Sequence, residues 1–195
     1  MVQSPHVAPW NIFMSFGIIG RILACLGFIC AIVIITYFNI ASGISLIEGI
    51  SEYITVMFLL WLAIIDAKTF TLPNKLLIVW LGCRTLLLLM ITLHYGSFHV
   101  IINSLLGAGS VFAVFLIFYY ISKRTLGGGD VKLSFVLGFA LTLSLVFTAV
   151  FYALLFCGIF ALVAVITKKM KKKDHLPLGP FLFIGTLTAY ILDVL

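Results

Sequence analysis

The sequence has few charged residues. It contains 12 Lys and Arg and 6 Asp and Glu residues, which together make up 9% of its 195 residues. Soluble domains carry about 25% charged residues because they need a hydrated surface, so this chain is not an ordinary soluble domain. Instead, 64% of its residues are apolar and its mean hydropathy is +1.30. We therefore predict an all-α, polytopic transmembrane helix bundle.

The sequence also lacks the motifs of several common chemistries. Its four cysteines lie within apolar runs and form no C-x-x-C pair, so neither a disulfide framework nor a zinc site is expected. The four histidines form no H-E-x-x-H motif and there is no G-x-S-x-G, which argues against metalloproteases and common serine hydrolases. We expect no metal and no cofactor. The cysteines are Cys25, Cys30, Cys83 and Cys157.

Apolar runs predict seven membrane spans, or six. A helix needs roughly 20 apolar residues to cross about 30 Å of hydrocarbon. The run 133–167 is too long for one crossing, so it should form a hairpin that turns near Thr148, and His94–Ser97 should break the run 85–122. The predicted spans are 22–40, 46–66, 75–93, 99–121, 132–149, 151–167 and 177–195, in one integral-membrane domain covering residues 1–195. The first ten residues hold no Lys or Arg, so we expect no secretory signal and a retained N-terminus.

The basic residues predict the orientation of these spans. With seven spans, every Lys and Arg except Arg84 falls on one side, which the positive-inside rule identifies as the cytoplasm. Arg84 lies within a span and should face the bundle interior or a wet cavity. The five lysines between Lys168 and Lys173 should anchor the topology, and they could also attract anionic lipid. We predict a multi-pass protein of a prokaryotic inner membrane that does not bind nucleic acid.

Two of the six acidic residues lie where a carboxylate is costly. Glu48, Glu52, Asp174 and Asp193 fit solvated positions. Asp66 ends one apolar run and Asp130 begins another, both at the predicted cytoplasmic side. Acidic residues in such places are often functional, although both could simply be interfacial residues at helix ends.

The run Gly127–Gly129, just before Asp130, would let the backbone approach another helix or a bound peptide closely. Two neighbouring carboxyl groups share one proton, because both cannot ionise easily. Such a pair can hydrolyse a peptide bond, one carboxylate taking a proton from water while the other acid donates one to the carbonyl oxygen. The same acids could serve a proton or ion pathway in a small transporter, although we find no internal repeat typical of transporters.

Three segments, whose order along the chain is that of the family, resemble motifs of the type IV prepilin peptidases. Residues 127–133, GGGDVKL, resemble the G-x-G-D motif that x-K-L commonly follows. Residues 65–74, IDAKTFTLPN, are similar to the segment of the first aspartate, with Pro-Asn some seven residues later. Residues 176–182, LPLGPFL, resemble the P-x-G-P-(F/Y)-L stretch before the last span.

The resemblance implies an aspartic membrane endopeptidase that removes the short basic leader from prepilins or prepilin-like secretion subunits, at the cytoplasmic membrane face and after a glycine. Asp66 and Asp130 match the catalytic aspartates. Gly127, Gly129 and Lys132 match residues of the G-x-G-D motif and the x-K-L that follows it, and they are expected to support the active site. Lys132 could also contact the substrate, form an ion pair or anchor the chain at the membrane surface. Pro73, Pro177, Gly179 and Pro180 match structural motif positions.

The sequence departs from the longer members of this family. Those members carry a cytoplasmic domain with paired C-x-x-C motifs and a second, N-methyltransferase activity. Because such cysteines are missing, the chain resembles a short, core-only form, and we expect peptidase activity without methyl transfer. Presenilin-like proteases also have a G-x-G-D acid, but they pair it with Tyr-Asp and Pro-Ala-Leu motifs, whereas Ile65 precedes Asp66 here and Pro-Ala-Leu is absent.

Overall fold

The computed structural model describes residues 32, 33, 36, 45–121, 127–167 and 176–194, and these form helices joined by short connections. The first predicted span and the lysine cluster lie outside the described residues, apart from the three isolated positions. The helices are α1 (Leu46–Thr69), α2 (Asn74–Tyr95), α3 (His99–Ile121), α4 (Gly128–Ala140), α5 (Leu143–Ile166) and α6 (Gly179–Val194). The described part of the chain contains no strand, which confirms the predicted all-α class.

Four of these helices are long and apolar enough to cross a membrane: α1, α2, α3 and α5. Helix α4 has 13 residues and α6 has 16. At about 1.5 Å per residue, each is shorter than the roughly 30 Å hydrocarbon core. The protein is therefore a helical membrane bundle in which two shorter helices accompany the long ones.

The ends of α1 and α2 follow from local sequence. Ser45 caps α1, its Oγ accepting from the Glu48 N–H at 3.4 Å. The helix ends where Phe70 adopts a left-handed conformation (φ 52°) and its N–H donates to the Asp66 carbonyl. Pro73 precedes α2, and Gly96 ends it with φ 63°. The predicted break at His94–Ser97 is confirmed.

The predicted turn near Thr148 is wrong. The chain instead breaks at Leu141 and Thr142, both in extended conformation, and α5 continues through position 148. Thr148 is accommodated because its Oγ1 donates to the Ser144 carbonyl at 3.1 Å, so the hydroxyl needs no turn. The predicted hairpin itself is present, because the chain reverses direction between α4 and α5: Cys157 of α5 lies close enough to Asp130, near the start of α4, for an electrostatic interaction.

The shorter helices are held between the longer ones. Helix α4 packs most extensively on α3 and also on α2, whereas α6 packs on α5 and α1. Helices α3 and α4 approach closely at Gly107 and Gly138, where an added Cβ on Gly138 would lie 2.8 Å from the Ala108 Cα. Small residues of this kind let backbones meet in membrane bundles.

Arg84 faces the interior, as predicted. It is 7% exposed, and its guanidinium donates to the Ser51 Oγ of α1 and to the Phe139 carbonyl at 3.5 Å. Phe139 lies in the last turn of α4, where carbonyls lack helical partners. Arg84 thus satisfies part of the end of a helix that stops within the bundle.

Candidate active site

Asp66 is buried in the last turn of α1. Its side chain is 4% exposed, and its Oδ2 accepts a hydrogen bond from the Gly179 N–H at 2.8 Å. Gly179 begins α6, which runs antiparallel to α1: near the other end of this pair, Tyr190 hydrogen-bonds Thr55. The start of α6 therefore covers the first aspartate and supplies a donor to it.

Asp130 is partly buried in the first turn of α4. Its backbone N–H donates to the Gly127 carbonyl at 3.0 Å. Burial and, to a lesser extent, the negative charge of Asp66 together raise the pKa of Asp130 to about 7, while a backbone hydrogen bond from Gly127 opposes the change. The two aspartates singled out in the sequence are therefore close enough for one charge to act on the other.

Glycines are packed against both aspartates. A Cβ on Gly127 would lie 3.1 Å from the Asp130 Oδ2, and one on Gly179 would lie 3.0 Å from the Asp66 Oδ2. A Cβ on Gly129 would lie 3.2 Å from the Leu72 Cβ, whereas one on Gly128 would meet nothing within 4 Å. The tight positions are the two fixed glycines of G-x-G-D and the glycine of the third motif, and the open position is the variable one.

The segment 71–74 connects α1 to α2 and meets the start of α4. Leu72 packs on Gly129, and the Asn74 Oδ1 accepts a hydrogen bond from the Lys132 Nζ at 3.1 Å. Pro73 is the residue before α2 and has an extended conformation. Our sequence interpretation assigned no role to Leu72 or Asn74; their place in the Pro-Asn segment was the available signal.

The remaining motif residues lie at the start of α6. Pro177 is buried just before the helix, and Pro180 is its second residue, where the missing N–H of proline costs no helical hydrogen bond. Leu178 and Phe181 are also buried, each 8% exposed. This segment packs its apolar side chains into the bundle while the Gly179 N–H reaches Asp66.

Within the described residues, no three His, Cys, Asp or Glu side chains gather into a group that could hold a metal ion. Cys83 and Cys157 are free cysteines, and Cys25 and Cys30 lie outside the described residues. The arrangement at the described site is a carboxyl pair, a backbone donor and closely packed glycines, which suits general acid and base chemistry on water.

Comparison with known proteins identifies the family of the chain. The model of the Type IV leader peptidase family matches residues 53–162, a range that contains both aspartates. A relative from Bacillus subtilis (strain 168), named prepilin leader peptidase/N-methyltransferase, is 30% identical over 153 residues, covering 78% of this chain and 59% of the relative. The chain thus spans about three fifths of that protein's length. No solved structure matches the chain. Because the family match covers more than half of its residues, the chain belongs to the type IV leader peptidase family.

Proposed function

We propose that the protein is a membrane aspartic endopeptidase that removes the short basic leader from type IV prepilins or prepilin-like secretion subunits. The main support for this proposal is that Asp66 and Asp130, which lie on separate helices, are close enough to interact electrostatically. Family membership adds independent support. The bond to be cut follows a glycine, as the resemblance to prepilin peptidases implies.

In this proposal the two aspartates divide the chemistry. Asp66 acts as the base: its carboxylate, stabilised by the Gly179 N–H, takes a proton from water. Asp130 acts as the acid, because its pKa of about 7 leaves it largely protonated at slightly acidic pH and about half protonated at neutral pH. The hydroxide oxygen attacks the peptide carbonyl carbon while Asp130 donates its proton to the carbonyl oxygen. When the C–N bond breaks, the proton on Asp66 passes to the leaving amine and Asp130 regains its own from the hydroxyl group.

We place the reaction at the cytoplasmic face of the inner membrane. Lys68 lies in the last turn of α1, Lys75 in the first turn of α2, and Lys132 is the fifth residue of α4; all three are exposed. The opposite ends of α1 and α2 contain Glu48 and no Lys or Arg. By the positive-inside rule, the end with the aspartates is the cytoplasmic one. Anionic lipid near residues 168–173 is a further proposal.

The test is cleavage of prepilin-like substrates with basic leaders and a glycine before the cut, by purified protein in liposomes. We expect mass spectrometry to find cleavage after that glycine by the wild type. Asp66→Asn and Asp130→Asn should each lose it at equal folded yield. Asp193→Asn, which neutralises an exposed acid of α6, is the matched control and should cleave normally.

Activity that survives either site substitution would refute the two-aspartate mechanism. A folded wild type that cuts no prepilin would refute the proposed activity and favour the alternative, a small transporter that uses the same acids. Adding a labelled methyl donor to the same reactions tests the prediction that methyl transfer is lacking: label on the new amino terminus would contradict it.

A further inference from the structure

The two aspartates lie on helices α1 and α4, and among the described helices each of these two packs mainly on helices other than its counterpart. Helix α1, with Asp66, packs mainly on α6 and α2, and helix α4, with Asp130, packs mainly on α3 and α2. Among the described helices, α2 is the one on which both α1 and α4 pack extensively. The distance between the two carboxyl groups depends on how the start of α2 and the segment before it sit against α4.

Two contacts join this part of the chain to the first turns of α4. Leu72 packs against Gly129. Two residues later, at the first position of α2, Asn74 accepts a hydrogen bond from the Lys132 Nζ at 3.1 Å. One contact is apolar and the other polar, and they flank Asp130 on both sides in sequence. The segment 71–74 is therefore attached to α4 at the residue just before Asp130 and at the residue two positions after it.

Lys132 does not point toward Asp130. Successive helical residues are rotated by about 100°, so side chains two positions apart lie on nearly opposite faces. In the described part of the chain, the side-chain hydrogen bond of Lys132 goes to Asn74 and no ion pair joins it to either aspartate. The geometry favours a role through Asn74 over direct action on the carboxyl groups.

We propose that Lys132 and Asn74 are positioning residues: their hydrogen bond holds the segment 71–74 and the start of α2 on α4, and so sets the separation of Asp66 and Asp130. This inference rests on the proposed peptidase function. It assigns a specific partner to the motif lysine, and it assigns a role to the Asn that follows Pro73. Because both side chains are exposed, the bond should matter more for geometry than for global stability.

The test is a double-mutant cycle on prepilin cleavage. Lys132→Met removes the donor and keeps the aliphatic stem, and Asn74→Ala removes the acceptor. Each should lower kcat about tenfold with little change in KM, since a misplacement of about 1 Å costs up to about 100-fold. The double variant should be no slower than either single one, because both remove the same bond.

Conservative variants and a matched control sharpen the test. Lys132→Arg keeps a donor and Asn74→Asp keeps an acceptor, so both should retain most of the activity. Lys75→Met removes another exposed lysine, from the second position of α2, and should leave kcat unchanged. Additive effects in the cycle, or a loss with Lys132→Met that Asn74→Ala does not share, would overturn the inference and assign the lysine to substrate or lipid.

A second measurement does not depend on activity. Hydrogen–deuterium exchange of the peptide spanning 70–77 should be faster in Lys132→Met and in Asn74→Ala than in the wild type, and unchanged in Lys75→Met. If the wild type cuts no prepilin, the proposed function fails, while this comparison still tests whether the bond holds the segment. Equal exchange in all variants would overturn the inference even in an active enzyme.

Discussion

An alanine series through the glycine run tests whether close packing shapes the active site. A new Cβ at position 129 would lie 3.2 Å from the Leu72 Cβ and 3.3 Å from its Cδ1, closer than the optimal carbon separation of about 3.5–4.0 Å. Leu72 must then move by a few tenths of an ångström. At position 127, the new Cβ would lie 3.1 Å from the Asp130 Oδ2 and press on the carboxyl group that we propose as the acid. At position 128 it would meet nothing within 4 Å.

These distances predict three different outcomes for prepilin cleavage. Gly128→Ala should keep wild-type kcat and KM. Gly129→Ala should lower kcat about threefold to tenfold, scaling down from roughly 100-fold for a 1 Å misplacement. Gly127→Ala should lower it at least as much, because its clash involves the carboxylate directly. Thermal unfolding in detergent separates these effects from misfolding. Positions 128 and 129 lie in the first turn of α4, where alanine is intrinsically favourable, whereas Gly127 is the N-cap, where alanine is less favourable than glycine and some loss of stability is expected.

A compensating substitution checks the cause. Leu72→Ala removes the Cδ1 and Cγ atoms that the new methyl group at position 129 would approach, so it should partly restore kcat in the Gly129→Ala background. If Gly128→Ala were as impaired as Gly129→Ala, and Leu72→Ala restored nothing, backbone flexibility rather than contact would explain the glycines. The steric reasoning would then be wrong.

Four further predictions follow from the same structure. In the proposed mechanism Asp130 acts in its protonated form, and its pKa is raised to about 7. The value of kcat/KM should therefore fall as pH rises through about 7, and a rate that stays level to roughly pH 9 would contradict the proposed role of Asp130 as the acid. This pKa of Asp130 lies above its ordinary value of 3.8, so between about pH 4 and about pH 7 the folded protein keeps a proton that the unfolded chain has lost. The free energy of unfolding therefore falls as pH rises through this range. Asp130→Asn should accordingly raise the unfolding midpoint more at roughly pH 8 than at roughly pH 4. Arg84→Met should destabilise the protein by about 1–3 kcal/mol by leaving the carbonyl at the end of α4 unsatisfied, and an unchanged unfolding midpoint in detergent would show that the carbonyl is satisfied otherwise. Gly138→Ala should lower the unfolding midpoint, because its methyl group would lie 2.8 Å from the Ala108 Cα; its control, Gly109→Ala, meets nothing within 4 Å and should not lower it.

The membrane helices could be predicted from composition because apolar runs of this length have few other stable arrangements. The end of α2 at Gly96 could also be predicted, since polar and flexible residues interrupt the apolar run 85–122 there. The break at Leu141 and Thr142 could not be predicted from the sequence, because neither residue is typical of turns. Next to it, Gly138 packs against Gly107 of another helix. Such a tertiary contact leaves no local pattern, so the sequence alone predicts the turn several residues too late.

At the site too, features that depend on neighbouring residues in the sequence could be predicted, and contacts between distant residues could not. Asp66 and Asp130 could be chosen from the sequence because a carboxylate beside an apolar run is costly and therefore informative. The donor to Asp66 could not, because Gly179 is 113 positions away and contributes only its backbone N–H. Asn74 is likewise 58 positions from Lys132. The sequence motifs indicated which segments matter, and the fold was needed to show which atoms meet.

The position of the aspartates suits a site that holds one negative charge but not two. Helices α4 and α6 both begin at this end of the bundle, and the N-terminus of a helix has a partial positive charge that favours an anion. The Gly179 N–H adds a direct donor to Asp66. Burial and the charge of Asp66 oppose ionisation of Asp130. One carboxylate and one carboxylic acid can therefore coexist near neutral pH, which is the state that a two-aspartate hydrolysis requires before water and peptide arrive.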